Sequence, residues 1–94
     1  MIYEVWHATE PRFADEQAGG FPDGYEKVAE VDAESVDHVF DLTNHIDHDW
    51  TTNREVTWRR GDGRSTRSTS VGDVVVLKGT NSRMACAPAG WRAV

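Results

Sequence analysis

The tetrad Val74-Val75-Val76-Leu77 constrains this chain more than any other stretch. Its apolar residues run continuously where a half-buried strand would alternate, so a strand here must be covered on both faces. It is too short for a helix, and Gly72-Asp73 and Lys78-Gly79-Thr80-Asn81 punctuate it on either side. Such a strand belongs in the interior of a sheet, and the rest of the chain has to supply its neighbours and its covers. The lead-in, Arg67-Ser68-Thr69-Ser70-Val71, is of a different kind. Its hydroxyl side chains can hydrogen-bond nearby backbone, which suits an irregular approach to a sheet. Gly72 supplies a conformation that other residues resist, and Asp73 can close an Asx-type turn.

The remaining segments read as the required partners. Ile2–His7 is rich in β-branched and aromatic residues and is predicted as a first strand. Residues 8–24 hold Pro11, Pro22 and three glycines and read as one long loop, with room for a short helical turn after Pro11. Tyr25–Val31 sets Tyr25, Ala29 and Val31 against Glu26 and Glu30, as a half-buried strand would. The period then changes. Over residues 32–46, Val36, Val39, Phe40, Leu42 and Ile46 form a helical stripe, with Asp32 as the expected N-cap and Glu34, Asp37, Asp41 and His45 toward solvent. Arg54–Arg60 alternates Val56 and Trp58 against Glu55, Thr57 and Arg59 before two glycines break it. Ser82–Ala87 and the end of Pro88–Val94 read as two further strands. The expectation is a single domain over residues 1–94 of the α+β class: a small, mostly antiparallel sheet of five to six short strands with one principal helix packed on it. Trp6, Trp58 and Trp91 all fall on strands, and at least two of them are expected in the core.

Charge is distributed unevenly. Residues 1–50 carry thirteen acids against Arg12 and Lys27, while residues 51–94 carry eight bases against three acids. Either the halves neutralise one another across the fold, which is the simpler arrangement, or the domain shows partners two faces of opposite sign. The single cysteine, Cys86, excludes an internal disulfide and multi-cysteine zinc patterns. The first residues show neither the basic nor the apolar part of a signal peptide, and no apolar run is long enough to span a bilayer. A cytoplasmic protein without a membrane partner is expected.

The candidate chemistry is thin. His38, His45 and His48 lie among Asp41, Asp47 and Asp49, and His38, Asp41 and His45 share a helical face. No second cluster completes a coordination shell, so no metal or other cofactor is expected. Cys86 sits between alanines in a predicted strand, where cysteine usually behaves as a small hydrophobe. Ser65, Ser68 and Ser70 lack the context that activates a serine. No nucleophile, base and orienter assemble, and no catalytic residue is expected. Arg54, Trp58, Arg59, Arg60 and Arg64 could form an arginine and tryptophan hairpin of the kind that contacts nucleic acid. Against that, the chain as a whole is acidic. The favoured reading is a protein partner, engaged by Asp37, Asp41 and Asp49 together with Phe13 and Phe21 of the long loop.

The block Arg67, Ser68, Ser70, Val71, Asp73, Val74 and Val75, with Gly90-Trp91 beyond it and Phe40 and Asn44 before it, resembles the YodL-like family. These are small domains of poorly defined function from bacteria, phages and plasmids. The likeness covers about the last 60 residues, and the connection over residues 52–66 is longer than the family's. What the resemblance implies is a small accessory factor of a phage, plasmid or other mobile element, acting on a host or element-encoded protein. It also implies a structural motif: Asp73 and Ser70 locking the turn, Arg67 bridging to the acidic helix, and Trp91 capping the core.

Overall fold

The computed structural model describes residues 1–9, 21–45, 49–61 and 66–94. Six strands, β1 (Ile2–Ala8), β2 (Tyr25–Asp32), β3 (Val56–Arg59), β4 (Val74–Leu77), β5 (Arg83–Ala87) and β6 (Gly90–Ala93), form one sheet in the order β3-β2-β1-β4-β5-β6. Every neighbouring pair is antiparallel. Two three-stranded meanders therefore meet along β1 and β4, with Tyr3 opposite Leu77 and Val5 opposite Val75. The uninterrupted valines lie at the sheet's centre, and Val74, Val75 and Val76 are all buried. Between β2 and β3 the chain leaves the sheet to form a helix, α1 (Val36–Thr43), and a 3-10 turn at Trp50–Thr52. The fold is mostly β with a single α-helix among the described residues. No helix among the described residues is long and apolar enough to cross a membrane.

Helix α1 starts later than the sequence suggests. Asp32 still belongs to β2, paired with Ile2, so it cannot cap the helix. Ser35 does so instead, its hydroxyl accepting from the His38 amide at 3.1 Å. Val39 and Thr43 are buried, and Val36 and Leu42 pack against the same core. At the other end the Asn53 side-chain amide donates to the Leu42 carbonyl at 2.8 Å, satisfying one of the groups a helix terminus leaves open. Ile46 lies outside the described residues.

Two apolar clusters cover the two faces of the sheet. On the helix side, Tyr3, Val5, Ala29, Val31 and Val75 meet Val39 and Trp50. On the other, Val74, Val76, Ala85 and Tyr25 gather Trp6 and Phe21. Two β-bulges decide which side chains face where. The β1–β2 register slips between Val5 and Trp6, pairing Val5 with Ala29 and Trp6 with Lys27. Val28 is the extra residue, which explains why Val28 and Ala29 are buried in succession and why the simple alternation fails. The β2–β3 register slips between Glu30 and Val31, setting Val56 opposite Val31 but Trp58 opposite Glu30. Trp58 is thereby turned to the face away from the helix, where it is 44% exposed.

The tryptophan expectation is corrected accordingly. Trp6 and Trp91 are half-buried, and the tryptophan at the centre of the core is Trp50, 1% exposed. Its indole donates to the Arg67 carbonyl at 2.8 Å, so its polar atom is satisfied. Glu30 is a second correction, being buried instead of facing solvent. Lys27 and Lys78 donate to its carboxylate at 2.6 and 2.9 Å, and those hydrogen bonds hold its pKa below the usual range.

Candidate functional site

The residues of the serine-rich block converge on one buried carboxylate. Asp73 is 0% exposed at the entrance to β4. It accepts from Arg67 Nη1 at 2.6 Å and Nη2 at 2.7 Å, from the Ala8 amide at 2.9 Å and from the Ser70 amide at 2.8 Å. Four charge-assisted or backbone bonds fill its acceptor capacity. Arg67 reaches on to the carbonyls of Ala8 and Ser68. The hydrogen bonds to Asp73 raise the pKa of its guanidinium, and partial burial opposes that rise. The Asp73 amide donates to the Ser70 carbonyl at 3.0 Å, closing a β-turn whose third residue, Gly72, has φ +94°. The Tyr25 hydroxyl caps the Gly72 carbonyl at 2.7 Å.

The same segment is stitched to the end of α1. The Thr69 amide donates to the Thr43 carbonyl at 2.9 Å, Asn44 Nδ2 to the Thr69 carbonyl at 2.7 Å, and the Ser68 hydroxyl to the His45 carbonyl at 2.7 Å. Asn44 and the serine block, 25 residues apart, thus form one clamp joining helix, lead-in and central strands. Contrary to what the resemblance implies, Arg67 does not bridge to the acidic helix. Its fork closes on Asp73 because both stand at the β1–β4 end, while Asp37 and Asp41 point away on the helix's exposed face.

His7 completes the clamp and was not singled out from the sequence. Its ring is buried, its Nε2 lies 3.0 Å from the Thr69 hydroxyl, and it stands 3.9 Å from Asp73. Burial pushes its pKa down to about 4, an effect that the Asp73 charge opposes and that Arg67 and Arg60 reinforce. It is therefore neutral at pH 7. Beside it, a cleft of about 410 Å³ is lined by His7, Ala8, Thr9, Glu26, Arg60, Thr66 and Arg67.

A second concavity lies toward the β5–β6 edge of the sheet. A groove of about 350 Å³ runs between α1 and the β5–β6 turn, lined by Asp37, Phe40, Asp41, Cys86, Ala87, Pro88, Gly90 and Trp91. Phe40 and Trp91 meet edge to face, centroids 6.3 Å apart. The Trp91 indole donates to Asp37 Oδ1 at 3.0 Å. Asp37 and Asp41 are one helical turn apart and both exposed, so the groove has an aromatic wall and two carboxylates on its rim. Cys86 is buried in β5, and burial pushes its thiol pKa up, which suits a packing residue better than a nucleophile.

The other residues singled out from the sequence are dispersed. Phe21 stacks edge to face on Trp6 and Tyr25, each at 5.2 Å, on the sheet face opposite the helix, so it shares no surface with Asp37 and Asp41. Asp49 does not line the groove. Its carboxylate caps the 3-10 turn, accepting from the Thr51 amide and hydroxyl. The arginine and tryptophan run does not form one patch. Arg54 is solvent-exposed beside Glu55, Trp58 faces away from the helix under Lys27, Arg59 reaches the Thr51 hydroxyl on the helix side, and Arg60 pairs with Glu26 at 2.6 Å. Phe13, Arg64 and His48 lie outside the described residues. His38 Nδ1 accepts from the Glu34 amide, and no group of three His, Cys, Asp or Glu among the described residues is placed to hold a metal.

Trp50 and His7 are the functional-site neighbours that sequence reasoning passed over. The signal for Trp50 was present in Asp49-Trp50-Thr51-Thr52, where an aspartate two residues before a threonine can cap a short turn. For His7 there was no such signal, because a strand histidine looks the same whether it is buried or exposed. No protein-family model, curated protein or solved structure matches the chain.

Proposed function

We propose that the chain is a non-enzymatic protein-binding module whose working surface is the groove between α1 and the β5–β6 turn. The observation that carries this reading is the pairing, in one concavity, of two exposed carboxylates with a half-exposed aromatic wall. A segment of a partner protein bearing a lysine or arginine next to an apolar residue fits that chemistry. The cation meets Asp37 and Asp41, and the apolar side chain lies against Phe40, Trp91 and Pro88. The serine-rich clamp serves as scaffold in this reading, since its polar atoms are committed to one another. Following the YodL-like resemblance, the module is an accessory protein of a phage, plasmid or other mobile element, acting in the cytoplasm on a host or element-encoded protein.

The test uses short peptides with Arg or Lys beside Leu or Phe, titrated into the labelled protein and followed by NMR. Saturable shifts at Asp37–Asp41 and Ala87–Trp91 are expected, with loss on Asp37→Lys plus Asp41→Lys and no change on Asp49→Lys. Peptides that shift these residues equally well with Glu in place of the cation would count against the groove.

A further inference from the structure

We propose that the outer edge of β6 takes up an extended, cationic segment of a partner protein as a seventh strand, whose alternate side chains enter the groove beside α1. The inference rests on the groove reading and deepens it, since it assigns the partner's conformation and the spacing of its anchors.

The sheet order β3-β2-β1-β4-β5-β6 leaves two edges. A strand edge offers N–H and C=O groups to any extended chain that approaches, and folds blunt such edges with bulges, prolines or covering segments. The two edges here differ. β3 is joined to β2 through a bulge, its register slipping between Glu30 and Val31. β6 runs in unbroken register with β5 over Gly90–Ala93, and that stretch contains no proline.

Hydrogen bonding decides which groups of β6 face outward. The Val94 amide donates to the Arg83 carbonyl at 3.1 Å, so the Val94 backbone points toward β5 and that of Ala93 points away. Alternation then turns Arg92 inward and Trp91 outward. A second observation agrees: Trp91 stands opposite Cys86, whose amide and carbonyl bond to Asp73 and Gly72 on the β4 side. The N–H and C=O of Trp91 and Ala93 therefore form the outer edge, and no described strand pairs with it.

The groove selects the occupant. The Trp91 ring meets Phe40, and its indole donates to Asp37 at 3.0 Å, so the Trp91 face of β6 is the face that α1 covers. In a strand added beside β6, every second side chain lies on that face. A lysine or arginine there meets the carboxylates of Asp37 and Asp41, and an apolar residue two positions away lies against the aromatic wall. Adjacent residues would point to opposite faces, so the two anchors are separated by one residue. The backbone bonds supply affinity, and the groove reads the side chains. A second copy of this chain fits less well. Pairing β6 with its own counterpart about a two-fold axis sets two α1 helices on one side of a continuous sheet, bringing four rim aspartates together between chains that each carry a net charge of −6.

The experiment titrates the labelled full chain with two eight-residue peptides of one composition, Lys and Leu being separated by one residue in the first and adjacent in the second. Amide hydrogen exchange is read alongside NMR shifts. With the spaced peptide at saturation, the Trp91 and Ala93 amides should exchange about tenfold more slowly or less, with the Arg92 amide, already turned to β5, as the reference. Methylating the backbone nitrogens of one alternate set of peptide residues should abolish this binding, and methylating the other set should leave it unchanged. Ala93→Pro removes an outward N–H that the sheet does not use and should weaken the spaced peptide about five- to tenfold, the loss of roughly one hydrogen bond. The methylated peptides read the same bonds on unaltered protein and cover the case in which that variant does not fold. Binding that needs Asp37 and Asp41, yet tolerates methylation at every position and leaves Trp91 and Ala93 exchange unchanged, would overturn the added strand and leave the groove standing. Tighter binding of the adjacent-anchor peptide would do the same. No saturable shift with either peptide would overturn both readings. Protection of Trp91 and Ala93 that grows with protein concentration alone would give the edge to a second copy and overturn the proposal.

Discussion

The clamp around Asp73 and the groove beside Asp37 each pair an aspartate with a large donor side chain, and they are built in opposite ways. Asp73 is enclosed, bonded to Arg67 twice and to two backbone amides, and placed where β1, β4 and the end of α1 meet. Asp37 accepts one indole N–H and otherwise faces water, with Asp41 one turn further along the helix. A fully satisfied buried network rigidifies and positions, since opening any part of it strands a polar group away from solvent. An exposed carboxylate on an aromatic wall stabilises little in the free protein and keeps its interaction available. The residues that look most distinctive in the sequence are therefore those that hold the fold, and the acceptors left exposed to water in the groove are plain aspartates.

The most severe way to break this contrast is at Asp73. Replacement by Asn keeps the shape but sets an amide N–H against donors and leaves Arg67 without its counter-charge. Arg67 is 47% exposed, so water can meet part of its charge, while the buried backbone donors lose acceptor strength; the cost should be about 2–4 kcal/mol, between that of an unsatisfied buried group and that of a fully buried broken pair. That is a large share of the roughly 5–14 kcal/mol available to a domain of this length. Urea unfolding of Asp73→Asn measures it, and a loss below about 1 kcal/mol would mean the clamp is no more essential than the groove.

Acid titration probes the same region without a mutation at the pair. The folded His7 pKa is about 4 against 6.5 for a solvent-exposed histidine, so between those values the unfolded chain binds a proton that the folded chain refuses. Stability is then constant above about pH 6.5, falls as pH drops toward 4, and loses about 3 kcal/mol across that window. The sign follows from a depressed histidine pKa, for which the protonated form belongs to the unfolded state. Glu30, also held below its usual range, adds its loss further into acid. His7→Gln should flatten the slope between pH 6.5 and 4, and an unchanged slope in that variant would place the acid sensitivity elsewhere.

Much of the scaffold was legible before any coordinates. The continuous valines required a central strand, and β4 is one of the two innermost strands. The change of period after Val31 marked the only described α-helix, and the glycine-aspartate bend marked the turn that closes on Ser70. What periodicity could not carry were the two bulges, because each inserts one residue and reverses the facing of those beyond it. Trp58 was misplaced for that reason, whereas Glu30 keeps the facing opposite Val31 and is buried there with Lys27 and Lys78 as its partners. The partner of Arg67 was hidden for another: a salt bridge six residues apart in an irregular segment has no period to reveal it. Of the residues singled out for partner binding, Asp37 and Asp41 meet in one groove, while Phe21 went to the opposite face and Asp49 to a turn. Side-chain type locates such residues on the surface but does not say which face the sheet will give them.

A smaller effect is expected at Gly72, which joins the clamp to β4 with φ +94°. Alanine there meets the steric cost of a left-handed backbone, about 1–2 kcal/mol. The Tyr25 hydroxyl and the Cys86 carbonyl, both bonded to Gly72, hold the backbone in place and keep it from relaxing into another turn. A urea midpoint shift within this range would show that the turn's geometry is set by its neighbours, and a neutral result would show that the segment can adopt another bend.

The smallest stability effects should come from the groove, and they sharpen the contrast most. Asp41→Asn removes an exposed charge with no described hydrogen-bond partner, and surface changes of this kind stay within about 0.5 kcal/mol. Asp37→Asn keeps an oxygen that can accept from the Trp91 indole, so its cost should be equally small, whereas Asp37→Ala removes the acceptor and leaves the indole to water. Since Trp91 is only half-buried, water can take that place, and the loss should remain below about 1 kcal/mol. The measurement is a set of urea midpoints for the three variants beside that of Asp73→Asn. If either asparagine variant destabilises the protein by as much as the Asp73 change, the rim carboxylates are part of the scaffold, and a groove that must hold the fold together could not also be open to a partner.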